Sequence, residues 1–319
     1  MELGKANLDE FGATLLEMGA ADRDLLVVTS DSRGSGKLVP FAIALPDQVV
    51  EVGIAEQTLV GVAAGLASAG KTVFAVSPAC FLTARGLEQI KNDVAYSDNP
   101  VNLIGISAGV SYGALGTTHH SLHDIAVLRA IHNIGIVAPA DNFETREAVR
   151  AAAASGSPIY IRFGKQRMPH LHDPDTEFEI GRAITLSTGT DVTFVATGET
   201  VVQAVEACEL LRQEGVSCGV ISMHTVKPLD AEAVLQAARG SRAVITVEEH
   251  SVHGGLGGAC AELLMQAGAS CAFQIAGIPD EYTVTGSQQD IFRHYGLSAQ
   301  GLAARAKALL EAPTAVPTH

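Results

Sequence analysis

The chain has 319 residues, enough for two ordinary α/β domains, and its 47% apolar and 18% charged content excludes a disordered chain. Lys and Arg total 21 against 35 Asp and Glu, a formal charge of −14; that surface repels nucleic acid and anionic membranes, and no Lys/Arg cluster offsets it. No apolar stretch has the length of a membrane span, and the start, MELGKANLDEFGATLL, reads as a polar, then amphipathic helix and not as a secretory signal.

Along the chain, buried strands are expected at 25–28, 72–76, 101–106, 134–137 and 159–161. Helices are expected between them at 54–69, 82–96 and 142–154, which implies a parallel sheet covered by helices. From Met168 to Thr190 the composition shifts to Pro, His, Asp and Glu, as in a linker. A second alternation follows: strands at 192–196, 217–222 and 243–247, with helices at 200–214, 230–238, from about 257, and at 298–311, ahead of a short tail, APTAVPTH. The expected architecture is α/β, with two doubly wound domains at 1–170 and 191–312 joined by a linker at 171–190. The cysteines at 80, 208, 218, 260 and 271 are odd in number and show no CxxC spacing, so they read as buried reduced thiols of a cytoplasmic protein.

Four local features carry chemistry. In EVGIAEQ, followed by LVGVAAGLASAG, residues Leu59, Val62, Ala63 and Leu66 share one helical face, which puts Glu56 in the first turn of a buried helix. There it is either a functional carboxylate or a plain acid favoured by the helix dipole. Phe81 starts the loop into the next expected helix, where an aromatic ring either stacks on a heterocycle or joins the core. The segment GALGTTHHSLHD gathers His119, His120, His123 and Asp124, but no Cys or Glu completes a metal set, and no metal ligand is assigned. The glycine run at 254–258 departs from a dinucleotide fingerprint because Cys260 holds the last glycine position.

Taken in order, GIAEQ, FLTARGLEQIKNDVAY, LGTTHHSLHDIAVLRAIHNIGIVAPAD and PIYIRFGKQRMP resemble the pyrimidine-binding domain of the transketolase family. TVKPLD and VITVEEHSVHGGLGG resemble that family's C-terminal domain. The resemblance implies a thiamine-diphosphate-dependent enzyme that moves a two-carbon ketol unit from a ketose to an aldose. It implies that Glu56 hydrogen-bonds N1′ of the cofactor's aminopyrimidine and that Phe81 stacks on that ring, with Arg85 and Gln89 also on the cofactor side. His119 then lies beside the reacting carbons and moves protons on substrate hydroxyls. Asp31 and Ser35 line the same cleft. Segments RAIHNIGIVAPAD and TVKPLD fit transketolase or deoxyxylulose-phosphate synthase better than the β subunit of a 2-oxoacid dehydrogenase. Together, Glu56, Phe81 and His119 argue against a non-catalytic structural partner.

Family members hold magnesium and diphosphate through a Gly-Asp-Gly motif, and no Asp-Gly dipeptide occurs in this sequence. The resemblance therefore implies an N-terminal partner chain that supplies most of the Mg2+ site, in an α2β2 assembly. It also implies altered sugar recognition. Leu115, Ser107 and Lys165 stand where relatives carry an Asp, a His and a phosphate-binding Arg, while Arg162 resembles an Arg used by deoxyxylulose-phosphate synthase. The substrates are then sugars or sugar phosphates.

Overall fold

A computed structural model describes residues 1–312. Its strands are β1 (Leu3–Ala6), β2 (Leu25–Thr29), β3 (Val49–Glu51), β4 (Thr72–Pro78), β5 (Val101–Ile106), β6 (Gly135–Val137) and β7 (Ile159–Arg162), then β8 (Arg167–Pro169), β9 (Ile184–Ser187), β10 (Val192–Ala196), β11 (Cys218–Ser222), β12 (Thr225–Lys227), β13 (Ala243–Ser251) and β14 (Ala272–Ile278). β1 and β8 pair antiparallel as a small two-stranded sheet, and the remaining strands form two α/β layers. One sheet has the order β12-β6-β7-β5-β4-β2-β3, and the other β14-β13-β10-β11-β9. Both are parallel except at one edge, where β12 and β9 run antiparallel.

Apolar runs without alternation need cover on both faces. β5 is buried at all six positions. On one side, Leu59, Val60 and Ala63 of the helix Glu56–Ser68 meet Val73 and Leu103. On the other, Leu8, Phe11 and Leu15 of Asn7–Ala21 pack with Phe74 and Ile104. The second sheet is sandwiched likewise. Helices Thr200–Gln213 and Ala299–Glu311 cover one face, and Ala231–Gly240 and Leu256–Gln266 the other.

The structure differs from the expected elements at three places. The helix expected over 82–96 is broken at Gly86 into Ala79–Arg85 and Leu87–Gln89, and then widens to a π-helical turn at Ile90–Tyr96. A Cβ on Gly86 would come within 2.8 Å of the Leu82 carbonyl oxygen, so the chain turns tightly there. Phe81 thus lies inside a helix and not in a loop. Within the expected linker, Ile184–Ser187 forms the edge strand of the second sheet. Finally, β12 leaves the second half of the chain and pairs with β6 of the first sheet.

The linker is also fastened. His172 has a fully buried side chain, with Nδ1 3.1 Å from Asp141 Oδ2 and Nε2 3.1 Å from Glu144 Oε1. Burial alone lowers a histidine, but these two carboxylates outweigh it and hold His172 up at about 10. Glu144 in turn accepts from Ser222 of the second half at 2.6 Å. Among the described residues no helix is long and apolar enough to cross a membrane.

Candidate active site

In parallel α/β sheets, sites form at the carboxyl ends of the strands. Four strand ends of the first sheet supply side chains here: Glu56 after β3, Phe81 and Arg85 after β4, Tyr112 and His119 after β5, and Lys165 after β7. They make one continuous row. Arg85 Nη1 lies 3.2 and 3.1 Å from Glu56 Oε1 and Oε2, and the same guanidinium sits 4.7 Å from the Phe81 ring centre. Phe81 meets His119 edge-on at 5.3 Å, and His119 meets Tyr112 in the same way at 5.3 Å. Lys165 Nζ lies 3.7 Å from the Tyr112 ring centre. Burial lowers its ammonium below the usual lysine value.

The first two groups of the row differ in access. The Glu56 side chain is 3% exposed and that of Arg85 is 53% exposed. Gln89 Oε1, one turn further on, is buried without a hydrogen-bond partner. Thr118 Oγ1 engages His119 Nδ1 at 2.9 Å, which leaves Nε2 as the nitrogen available to a ligand.

The second half of the chain shapes this site by clamping the loop at 107–123. Ser107 and Gly109 have φ of 55° and 62°. A Cβ on Gly109 would lie 2.3 Å from the Glu249 carboxyl carbon, so glycine is required there. Glu249 Oε1 accepts from the Val110 N–H at 2.7 Å, and His120 Nε2 bonds the Gly113 carbonyl at 2.9 Å. The three histidines therefore diverge: His119 faces the row, His120 turns inward, and His123 Nε2 lies 3.3 Å from Thr83 Oγ1. Among the described residues no group of His, Cys, Asp and Glu is placed to hold a metal ion.

Asp31 and Ser35 lie on the adjacent loop after β2, both exposed, with the Asp31 N–H bonded to Glu51 Oε1 at 2.6 Å and Ser35 Oγ to the Ser32 carbonyl at 3.2 Å. Neither is hydrogen-bonded to the row. Arg162, also expected on the substrate side, is a buried residue. It is 6% exposed, pairs with Asp124 Oδ2 through Nε at 3.1 Å, and donates through Nη2 to the carbonyl oxygens of Ser121 and Glu249. Tyr160 OH holds the same Asp124 oxygen at 2.7 Å. This is the joint between the two sheets, not the open cleft.

Sequence reasoning missed that joint. Glu248 accepts from the N–H groups of Leu256 and Gly257 at 2.7 and 2.9 Å, while burial pushes its carboxyl up to about 7. Burial pushes both Glu199 and Glu249 up, Glu199 further by the charge of Glu249 and Glu249 by that of Asp124, with Gln288 Nε2 bridging the two at 3.5 and 2.8 Å. Arg162, Glu199 and Glu249 line a cavity of about 20 Å3, the size of one water. The one signal in the sequence was the acidic pair in VEEH at the end of an apolar run.

Residues 5–170 match the transketolase pyrimidine-binding domain, and 181–302 match the transketolase C-terminal domain. The chain belongs to the transketolase family. It is 49% identical over 293 residues to an apulose-4-phosphate transketolase subunit of Phocaeicola vulgatus, covering 92% of this chain and 93% of that one. It is 33% identical over 305 residues to the 6-deoxy-6-sulfo-D-fructose transketolase subunit of a Clostridium species, covering 95% and 94%. A solved split-gene transketolase, described as an inactive β4 tetramer, superposes with a TM-score of 0.86 at 36% identity, over 96% of this chain and 98% of that one. The chain is thus a transketolase C-terminal subunit, an enzyme component for thiamine-diphosphate-dependent ketol transfer.

Proposed function

We propose that this subunit works with an N-terminal transketolase subunit carrying the diphosphate and Mg2+ site, two copies of each, and that it takes ketoses with an anionic terminus. The observation that carries this reading is the row from Glu56 to Lys165. It places a buried carboxylate, an aromatic face, an imidazole and a cation in sequence along one edge of the sheet.

The residues fit an aminopyrimidine. Glu56 offers a buried carboxylate at a helix start, Phe81 a half-buried ring, and Gln89 Oε1 a buried acceptor that lacks a partner. Thiamine diphosphate, when bound, supplies the electron sink that lets the ketose C2–C3 bond break. Glu56 then holds a proton at N1′, Phe81 fixes the ring plane, and His119 Nε2 moves protons on substrate hydroxyls. Lys165 meets the anionic terminus as a point charge, without the fork an arginine would offer. Asp31 and Ser35 line the neighbouring wall. Two relatives are named for a sugar phosphate and a sulfo sugar, which favours an anionic terminus, and apulose 4-phosphate is the first donor to test. Room for close packing between copies also supports assembly: a Cβ on Gly61 or Gly65 would meet nothing in the single chain.

The test is reconstitution with the N-terminal subunit, Mg2+ and thiamine diphosphate. Ketol transfer from apulose 4-phosphate is expected from the pair and not from this chain alone. Lys165→Ala is expected to lower kcat/KM for that donor about tenfold to a hundredfold, the range of a charge-assisted hydrogen bond. Transfer by the chain alone would overturn the need for a partner. A Lys165→Ala variant with wild-type kcat/KM would remove the anionic-terminus assignment.

A further inference from the structure

We infer that Arg85 is an exchangeable counter-ion: it holds the two groups that receive the cofactor's pyrimidine and has to leave both before that ring can bind. The inference rests on the proposed cofactor site and changes the part Arg85 plays in it, from ligand to competitor.

Three observations carry it. First, one guanidinium covers both receiving groups at once, with Nη1 3.1 Å from Glu56 Oε2 and Cζ 4.7 Å from the Phe81 ring centre. A heterocycle that hydrogen-bonds Glu56 and stacks on Phe81 needs that same space. Second, the pair is built to open. A fixed arginine–carboxylate pair uses two parallel N–H···O bonds from two nitrogens. Here one nitrogen is shared between both oxygens. The arginine side chain is 53% exposed, so it can rehydrate its charge on leaving. Third, Glu56 cannot stand alone. Its side chain is 3% exposed, and a buried carboxylate with no partner is strongly unfavourable. Arg85 compensates it, and a pyrimidine that hydrogen-bonds Glu56 replaces that compensation as the arginine swings out. The break at Gly86, directly after Arg85, ends the helix Ala79–Arg85 and leaves the side chain in its last turn.

The experiment is a double-mutant cycle on thiamine diphosphate affinity, measured by fluorescence or calorimetric titration of the reconstituted two-subunit enzyme with Mg2+. Arg85→Met is expected to bind the cofactor about threefold to tenfold more tightly than wild type, the range expected when a half-exposed ion pair no longer has to open. Arg85→Lys, which keeps a counter-ion, should return the affinity toward wild type. On a Glu56→Gln background, where no carboxylate holds the arginine, Arg85→Met should change the affinity less than about twofold. Weaker or unchanged binding in Arg85→Met overturns the inference, as does an equal effect on both backgrounds. A wild-type pair that binds no thiamine diphosphate at all would instead overturn the functional reading beneath it, so the two failures are distinct.

Discussion

Two arginine–carboxylate pairs in this chain have the same closest approach, 3.1 Å, and opposite surroundings. Arg85 is half exposed and reaches Glu56 through one nitrogen. Arg162 and Asp124 are both buried, and each has further partners in Ser121, Glu249 and Tyr160. Distance alone would rank them equal. Burial and the number of bonds to each charge separate them: the first can be exchanged for a ligand, and the second holds two sheets together.

Breaking the buried pair should have the largest effect. Arg162→Met leaves Asp124 buried beside Tyr160 and is expected to destabilise the chain by about 3–5 kcal/mol in urea unfolding. Adding Asp124→Asn should recover part of that loss, because no buried charge then stands unpaired. A loss below about 1 kcal/mol for Arg162→Met would erase the contrast between the two pairs.

At the exchangeable pair the expected effect is on chemistry and not on folding. Glu56→Gln should lower kcat of the reconstituted enzyme about a hundredfold or more, as for loss of a proton-transferring group, while the unfolding midpoint of the isolated chain stays near wild type. Near-normal turnover in this variant would place the proton-handling group elsewhere.

The last expected effect is a pH dependence, and it sits at the linker. His172 is held up at about 10 by Asp141 and Glu144, above its unfolded value near 6.5. A raised histidine contributes stability that is full below the unfolded value and is lost as pH rises through the folded one. The stability gap between wild type and His172→Gln should therefore be widest below about pH 6.5 and close as pH passes about 10, read as thermal midpoints across that range. A gap that does not vary with pH would mean that His172 acts by packing against Phe143, whose ring centre is 5.6 Å away.

The alternation of strands and helices was legible because period and burial are local. Glu56 in the first turn of its helix follows from the face of Leu59, Val62, Ala63 and Leu66, of which Leu59 and Ala63 are buried. Single motifs reach as far as the candidate row: Glu56, Phe81, Arg85, His119 and Lys165, each singled out in sequence, lie along it. Tyr112 was not legible, since an aromatic in a glycine-rich loop has no period to place it. The burial of Arg162 was not legible either, since it depends on Asp124 and Glu249, which lie far away in the chain. Glu199 and Glu249 look like surface acids in sequence, and only the docking of two sheets makes them an interior pair.

The strand β12 has one more consequence. Its residues belong by sequence to the C-terminal domain and by hydrogen bonding to the first sheet. A cut at the boundary near residue 170 would therefore strip the first sheet of an edge and leave β6 with unpaired backbone groups, a template for adhesion between copies. A chimaera that exchanges C-terminal domains between two transketolases would carry a foreign strand into the sheet that bears Glu56. The portable unit is the pair of domains, not either one.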